Sequence, residues 1–217
     1  MDIEQARFNM IEQQIRPWDV SDQTILDLIS QTPREKFVPE KYQHLAFSDT
    51  NIPLPHAQAM MKPIIEARML QALKIQSHER VLEIGTGSGY VTALLAQLAT
   101  SVSSEEIHTD LSQQASDQLQ ALNINNVDLK VTDSLKNRKF QNRFDVILVT
   151  GSLPQFEAIF QEQLEIGGRL FIVIGEAPVM EARLITRLAE NKWQQTVILE
   201  TVLPPLIGAT ETNKFVL

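Results

Sequence analysis

The sequence of 217 residues contains no cysteine. This absence excludes a thiolate nucleophile, a disulfide framework, an iron–sulfur cluster held by cysteines and a cysteine-based zinc site. The four histidines, His44, His56, His78 and His108, show no H-x-x-x-H spacing. We therefore expect no metal site.

Long apolar runs and clustered basic residues are missing as well. No apolar run approaches the ~20 residues of a membrane-spanning helix. Residues 1–5 are acidic and polar, whereas a secretion signal begins basic and then turns apolar. We expect a cytoplasmic protein without a membrane partner. The net charge is −8 and the 19 Lys and Arg residues are scattered, which argues against a nucleic-acid partner.

Glycine is scarce, but Gly85, Gly87 and Gly89 are three of only eight glycines. They follow an apolar run at residues 81–84 and precede an apolar pattern of helical spacing from Tyr90, which predicts a strand, a glycine turn and a helix. Glycine permits positive φ and lets a ligand approach the backbone beside the free N–H groups of a helix start. We expect a ligand at this turn, and a tight turn without a ligand is the alternative.

Strands and helices alternate along the rest of the chain. Strands are predicted at residues 81–84, 101–105, 127–131, 144–149 and 169–174, and helices at 89–98, 110–122 and 154–163. Gly167 and Gly168 are predicted to form a turn before the last of these strands. The alternation predicts a doubly wound, mostly parallel α/β sheet. Residues from about 180 to 203 predict a closing antiparallel hairpin, although residues 180–188 could also form a helix.

Residues 1–78 are predicted to form a helical extension with an active-site loop, and residues 79–217 the ligand-binding core. The first helix is predicted to end before Pro17, and the second to lie between Ser21 and Pro33. A loop is predicted over residues 46–62, and Pro63 is predicted to begin the helix that leads into the core.

The spacing of the glycines distinguishes between the known nucleotide-binding motifs. A dinucleotide fingerprint needs a glycine where Tyr90 stands, and a Walker loop needs a Gly-Lys-Ser/Thr sequence that the turn lacks. The pattern E-x-G-x-G-x-G from Glu83 resembles the first motif of the S-adenosylmethionine-dependent methyltransferases of the Rossmann-like class. The resemblance implies that Glu83 lies near the amino-acid end of this cofactor. It also implies that the turn binds the cofactor through Gly85, Thr86, Gly87 and Gly89.

Acidic and hydroxyl side chains follow the next predicted strands. An acid about 20 residues after the first glycine binds the ribose hydroxyls in such folds. Glu106 fits this position, and Glu105 is the alternative. The class resemblance further implies an adenine contact at Asp133, with Ser134 beside it, and places Thr150 at the methyl end of the cofactor.

Several motifs together resemble the protein-L-isoaspartate O-methyltransferase family over nearly the whole chain. They are the helical N-terminal third, PREKFVP at residues 33–39, VLEIGTGSGY at 81–90, FDVILVT at 144–150, Leu164 with GGRL at 167–170, and VLPPL at 202–206. The resemblance implies methyl transfer to the carboxylate of an isoaspartyl residue in a damaged protein or peptide. The ester collapses to a succinimide, which can reopen to normal aspartate.

The predicted active-site loop departs from the family pattern. The family sequence Gly-Gln-Thr-Ile-Ser-x-Pro is Ala57-Gln58-Ala59-Met60-Met61-Lys62-Pro63 here. Met61 therefore stands at the position of the family's reacting-site serine, and Gln58, Ala59 and Met60 are the predicted substrate contacts. Two hydroxyl groups are lost, which removes hydrogen bonds to an incoming carboxylate.

Three functions stay open at this point. They are isoaspartyl methylation, methylation of another carboxylate or hydroxyl acceptor such as a small-molecule acid, and S-adenosylmethionine binding without catalysis. A nicotinamide-dependent oxidoreductase is disfavoured by Tyr90. The sequence leaves the oligomeric state open.

Overall fold

A seven-stranded sheet forms the centre of the computed structural model, which describes residues 2–136 and 142–209. The strands of this sheet are β3 (Arg80–Ile84), β4 (Ser101–Glu106), β5 (Val127–Val131), β6 (Phe144–Leu153), β7 (Leu164–Glu176), β8 (Val179–Ala189) and β9 (Lys192–Glu200). Two short strands, β1 (Ile52–Pro53) and β2 (Ala59–Met60), pair separately. The α-helices are α1 (Ile3–Met10), α2 (Gln23–Gln31), α3 (Pro63–Leu73), α4 (Tyr90–Leu98), α5 (Thr109–Ala121) and α6 (Ile159–Glu162).

The strand order in the sheet is β5-β4-β3-β6-β7-β8-β9. The strands from β5 to β7 run parallel, and β8 and β9 are antiparallel to their neighbours. The predicted doubly wound sheet with a closing hairpin is confirmed, and residues 180–188 form a strand. The chain runs outward from β3 through β4 and β5, then returns to β6 on the other side of β3. Ligand sites form at such a switch point.

The central strands are buried because helices cover both faces of a parallel sheet. Residues 146–149 of β6 are completely shielded from solvent. One hydrophobic cluster joins the N-terminal helices to the sheet and includes Met10, Leu26 and Val146. The division at residue 78 stays a prediction, and residues 210–217 of the predicted core lie outside the described residues. No helix in the described part of the chain is long and apolar enough to cross a membrane.

The predicted end of the first helix is wrong. The α-helix ends at Met10, and the chain continues as a π-helix (Ile11–Ile15) and a 3-10 helix (Arg16–Trp18). Pro17 lies in the first turn of that short helix. Proline is tolerated there because the first N–H groups of a helix have no partner within the helix.

The predicted helix at residues 154–163 is too long, because only Ile159–Glu162 is α-helical. β6 instead extends to Leu153, where the C-terminal segment pairs with it. The Ser152 amide donates to the Pro204 carbonyl at 2.9 Å, and the Leu206 amide donates to the Ser152 carbonyl at 2.9 Å. These hydrogen bonds between distant segments hold the chain extended past the end of the predicted strand.

The predicted turn at Gly167 and Gly168 is also wrong, since both glycines lie inside β7. Pairing with β6 shifts register between Phe144 and Val146 at this point. A Cβ on Gly168 would lie 2.8 Å from the Asp145 carbonyl oxygen. Gly168 therefore lies in a β-bulge, where the lack of a side chain lets the two backbones approach closely.

The predicted loop at residues 46–62 contains a small antiparallel ribbon of β1 and β2. Ile52 pairs with Met60, and Pro53 pairs with Ala59. The ribbon brings the end of this segment back toward the carboxyl ends of the central strands. It thereby positions the predicted substrate-contacting residues, as the candidate site shows.

Candidate active site

A cleft opens at the carboxyl ends of β3, β4, β5 and β6. It encloses about 860 Å³ of empty space, including solvent at its mouth. Most of the predicted site residues line it, namely Gln58, Ala59, Met60, Met61, Gly85, Thr86, Gly87, Glu106, Asp133, Ser134 and Thr150. Glu83 and Gly89 are the predicted residues that do not line it. Most of the predicted residues therefore share one cleft, and Glu83 and Gly89 lie outside its lining.

Gly87 and Gly89 serve the turn in different ways. Gly87 has φ of +54°, lines the cleft, and leaves space that a Cβ would fill at 3.4 Å from Leu54. Gly89 has φ of +80° and, as the N-cap residue of α4, lies against α5, so that a Cβ would lie 2.8 Å from the Ala115 Cβ. Gly87 thus opens backbone to a ligand, whereas Gly89 permits close contact between two helices.

Glu106 ties the turn to the loop after β4. Its Oε2 accepts from the Gly87 amide at 2.9 Å, and its Oε1 accepts from the His108 amide at 3.0 Å. Glu105 also lines the cleft, and its Oε2 accepts from the Ser134 hydroxyl at 2.6 Å. The turn and these two acids form a continuous polar wall of the cleft.

Glu83 lies beneath the turn and is fully buried. Its Oε2 accepts from the Thr92 hydroxyl at 2.5 Å and from the Ser104 hydroxyl at 2.6 Å. The Ser104 hydroxyl also lies 2.6 Å from that of Thr86, a residue of the turn. Burial raises the pKa of Glu83 to about 7, although both hydroxyl groups lower it. Glu83 therefore supports the turn through Ser104 and Thr86.

Thr150 joins β6 to the start of the turn. Its hydroxyl lies within hydrogen-bond distance of two carbonyl oxygens of the β3 end, at 2.9 Å from Ile84 and 2.5 Å from Gly85. The side chain lines the cleft and also occupies the space where a Cβ on Gly85 would lie. Thr150 thus closes the floor of the cleft at the switch point.

Arg34 fixes the predicted acceptor end of the cleft, and the pattern analysis did not identify it. The side chain is completely buried and pairs with Glu66, a residue of the cleft wall. It donates to the Met61 carbonyl at 2.7 Å and to the Ala46 carbonyl at 2.8 Å. Its guanidinium lies over the Tyr90 ring, 4.8 Å from the centroid. Arg34 therefore holds the Met61 backbone against the core.

Glu66 was also missed, because a lone acid inside an apolar helix pattern gives no signal of its partner. Arg34 and Glu66 are 32 positions apart, and their contact exists only in the folded chain. Burial raises the pKa of Glu66 to about 8 against the opposing charge of Arg34. The Oε1 atom of Glu66 is buried and makes no hydrogen bond within the described chain.

These features fit S-adenosylmethionine. The bare backbone at Gly87 leaves room for a ligand beside an acid that can accept hydrogen bonds from hydroxyl groups, and the cleft lies at the switch point of the sheet. The fold and the cleft define an S-adenosylmethionine-dependent methyltransferase of the Rossmann-like class.

Comparison with known proteins specifies the family. The family model described as protein-L-isoaspartate(D-aspartate) O-methyltransferase matches residues 5–211. A protein-L-isoaspartate O-methyltransferase of Koribacter versatilis is 36% identical over 202 residues, covering 93% of this chain and 90% of the relative. One of Syntrophus aciditrophicus is 39% identical over 188 residues, covering 87% and 86%. The chain belongs to the protein-L-isoaspartate(D-aspartate) O-methyltransferase family, as its motifs predicted.

Solved structures agree with the fold. A Plasmodium falciparum protein described as a member of this family, in complex with S-adenosyl-L-homocysteine, gives a TM-score of 0.77 at 20% identity. That match covers 92% of this chain and 97% of the other. A second structure, of a protein-L-isoaspartate O-methyltransferase, gives 0.77 at 23% identity and covers 92% of this chain and 65% of the other. At such identities the likeness concerns the fold alone.

Proposed function

We propose that this protein transfers a methyl group from S-adenosylmethionine to the carboxylate of isoaspartyl residues in damaged proteins and peptides. The observation that carries the proposal is the cleft itself, which sets the glycine turn and Glu106 beside the loop that ends at Met61. Family membership supports the same reaction. The acceptor assignment is the new step, because this loop lacks the family's hydroxyl groups.

The polar wall is proposed to hold the cofactor. Gly87 presents backbone to the methionyl portion, and Glu106 accepts from the ribose hydroxyls in preference to Glu105. Asp133 and Ser134 bind the adenine end, and Thr150 lines the methyl end. Glu83 acts indirectly, by supporting the turn from below. When bound, S-adenosylmethionine supplies a methyl group on a sulfonium sulfur.

The chain's own residues then have to orient the acceptor and exclude water. An isoaspartyl carboxylate is already an anion, so no general base is required, and alignment supplies most of the acceleration. Met60 and Met61 are both buried and line the acceptor end with apolar side chains. Arg34 fixes the Met61 carbonyl and therefore the path of this loop.

A small-molecule acid is the alternative acceptor. Within the described chain, the cleft lining includes the acids Glu66, Glu105, Glu106 and Asp133 and no Lys or Arg. The carboxylate of either acceptor would gain no ion pair from this lining. Both acceptors would use the same cofactor site, and they differ in whether a peptide or a small molecule binds beside Met61.

Transfer of labelled methyl groups tests the proposal. An isoaspartyl peptide, the same peptide with normal aspartate, and a panel of small carboxylic acids are each incubated with the protein and labelled S-adenosylmethionine. We expect label on the isoaspartyl peptide and none on the aspartyl peptide. Label confined to a small acid would replace the acceptor, and cofactor binding without label on any acceptor would make the protein a non-catalytic binder.

Gly87→Val tests the cofactor site, because the added side chain fills the space beside Leu54. Calorimetry with S-adenosylhomocysteine should show no binding. Gly167→Ala is the matched control, since Gly167 also has positive φ but lies outside the cleft lining. Unchanged affinity in Gly87→Val would refute the proposed placement of the cofactor.

A further inference from the structure

Two histidines and an aspartate meet beside the mouth of the cleft. His56 belongs to the loop between β1 and β2, whereas His108 and Asp110 lie at the start of α5. The potential metal-ligand atoms of the three side chains all lie within 4.8 Å of one another. The His56 and His108 rings stack with centroids 3.9 Å apart and planes 9° apart. The cluster thus joins two segments that are about fifty positions apart in the chain.

The three side chains lie close enough for one metal ion to bring their ligand atoms together. His56 Nε2 lies 2.9 Å from each carboxylate oxygen of Asp110. With metal–ligand bonds of about 2.0–2.1 Å in a tetrahedral zinc site, neighbouring ligand atoms are about 3.3 Å apart. His56 and Asp110 are hydrogen-bonded at a distance shorter than this spacing, so an ion would take the place of the proton between them. Because the two imidazole rings are stacked, the His108 ring has to turn out of the stack for both rings to bind one ion.

His108 offers the ligand atom that this arrangement needs. Its Nε2 is shielded from solvent and has no hydrogen-bond partner within the described residues. A shielded polar atom without a partner is costly, and a metal ion would satisfy it. The His108 backbone amide donates to Glu106, so the ring is attached to a fixed element of the cleft wall.

The turn that places His56 beside His108 and Asp110 has a strained backbone. His56 has φ of +58° and the next residue, Ala57, has φ of +56°, although neither is glycine. Such strain persists at ligand sites and switch regions. Here it belongs to the turn that carries the His56 ring toward α5.

We propose that His56, His108 and Asp110 form a site for a divalent transition-metal ion of the zinc type, bound by two imidazoles and one carboxylate. Nitrogen and oxygen ligands in this number match sites that keep further positions for water. His56 lies between Leu54 and Gln58, which both line the cleft. A bound ion would therefore fasten the active-site loop to α5. The site is separate from methyl transfer and stands whether or not the proposed acceptor is right.

Calorimetric titration of the full chain, purified without a histidine tag, with Zn²⁺ tests the site. We expect one ion per chain with a dissociation constant in the micromolar range. Replacing second-shell partners already weakens metal binding about 10–100-fold, so removing a ligand should weaken it by at least about tenfold. This loss is expected in each of His56→Ala, His108→Ala and Asp110→Asn.

His44→Ala is the matched control, because His44 is exposed and lies outside the cluster. It should bind Zn²⁺ like the parent chain. Titration with Co²⁺ gives a second readout, since its visible absorption intensifies when imidazole nitrogens bind in a tetrahedral site, and His108→Ala should abolish that band. Absence of saturable binding, or binding that His56→Ala and His108→Ala leave unchanged, would overturn the proposal. Circular dichroism of each variant confirms that a loss of binding is not a loss of fold.

Discussion

Gly89→Ala should destabilise the protein without damaging the cofactor site. At φ of +80°, an alanine adopts the left-handed conformation, which costs about 1–2 kcal/mol. Its Cβ would lie 2.8 Å from the Ala115 Cβ and 3.1 Å from the Ala115 Cα, so α4 and α5 must separate. Overpacking of this kind costs about 1–3 kcal/mol. The free energy of unfolding should therefore fall by about 2–5 kcal/mol.

Urea unfolding measures this change, and two further variants separate its causes. Gly167→Ala introduces strain alone, because Gly167 has φ of +88° and a Cβ there meets nothing within 4 Å. It should lose only the strain of about 1–2 kcal/mol. Ala115→Gly costs about 1 kcal/mol in helix propensity. In the Gly89→Ala/Ala115→Gly double variant, removal of the Ala115 Cβ should relieve the overpacking. The free energy of unfolding of the double variant should therefore fall by less than the sum of the two single changes.

Two results would refute this reasoning. A Gly89→Ala protein as stable as the parent would mean that α4 and α5 are not in close contact. A folded Gly89→Ala protein that no longer binds S-adenosylhomocysteine would mean that Gly89 belongs to the cofactor site and not to the helix contact.

Three further predictions concern the groups around the cleft. Arg34→Met should lower the free energy of unfolding by about 3–5 kcal/mol, because it removes one partner of a buried pair and the buried donor to the Ala46 and Met61 carbonyls. Arg34→Met/Glu66→Leu should recover much of that loss, and an equal loss in both variants by urea unfolding would contradict the pairing. Burial raises the pKa of Glu83 from 4.5 to about 7, so in that range the folded chain keeps a proton that the unfolded chain has lost. Stability should fall as pH rises through this window. Glu66, whose pKa burial raises to about 8, contributes to the same fall, so Glu83→Gln should reduce the slope by about 1.4 kcal/mol per pH unit in unfolding curves taken at several pH values. An unchanged slope would show that another group titrates. Met61→Ser adds a hydroxyl at the acceptor end, and a hydrogen bond worth about 1 kcal/mol should raise kcat/KM for an isoaspartyl peptide about fivefold. Met61→Ala is its control, because it removes the methionine side chain without adding a hydroxyl, and an equal rise in both would mean that the hydroxyl makes no hydrogen bond to the acceptor.

Sequence pattern predicted the features that local chemistry determines. The glycine turn follows from residues that are neighbours in the chain, and the sheet follows from the alternation of apolar strands and helices. The acid at the end of β4 was predicted from its distance after the first glycine, and Asp133 after β5 from the class resemblance; the carboxyl ends of parallel strands share one edge. Their order in the chain therefore places them together in the cleft.

The features that were missed depend on contacts between distant segments. Arg34 and Glu66 meet only when the N-terminal part packs on α3, and Gly89 needs its conformation because of Ala115. The hydrogen bonds that Thr92 and Ser104 donate to Glu83 beneath the turn also join separate segments. His56 and His108 carry no spacing signal, since the strained loop at His56 brings them together.

The most direct test of the proposed function follows the fate of one isoaspartyl peptide incubated with the protein and S-adenosylmethionine. Reversed-phase chromatography with mass detection separates the isoaspartyl, methyl-ester, succinimide and aspartyl forms. Methylation of the isoaspartyl carboxylate predicts that the succinimide and then the normal aspartyl peptide accumulate, and only when the cofactor is present. An isoaspartyl peptide that stays unchanged while calorimetry shows S-adenosylmethionine bound to the protein would contradict the account.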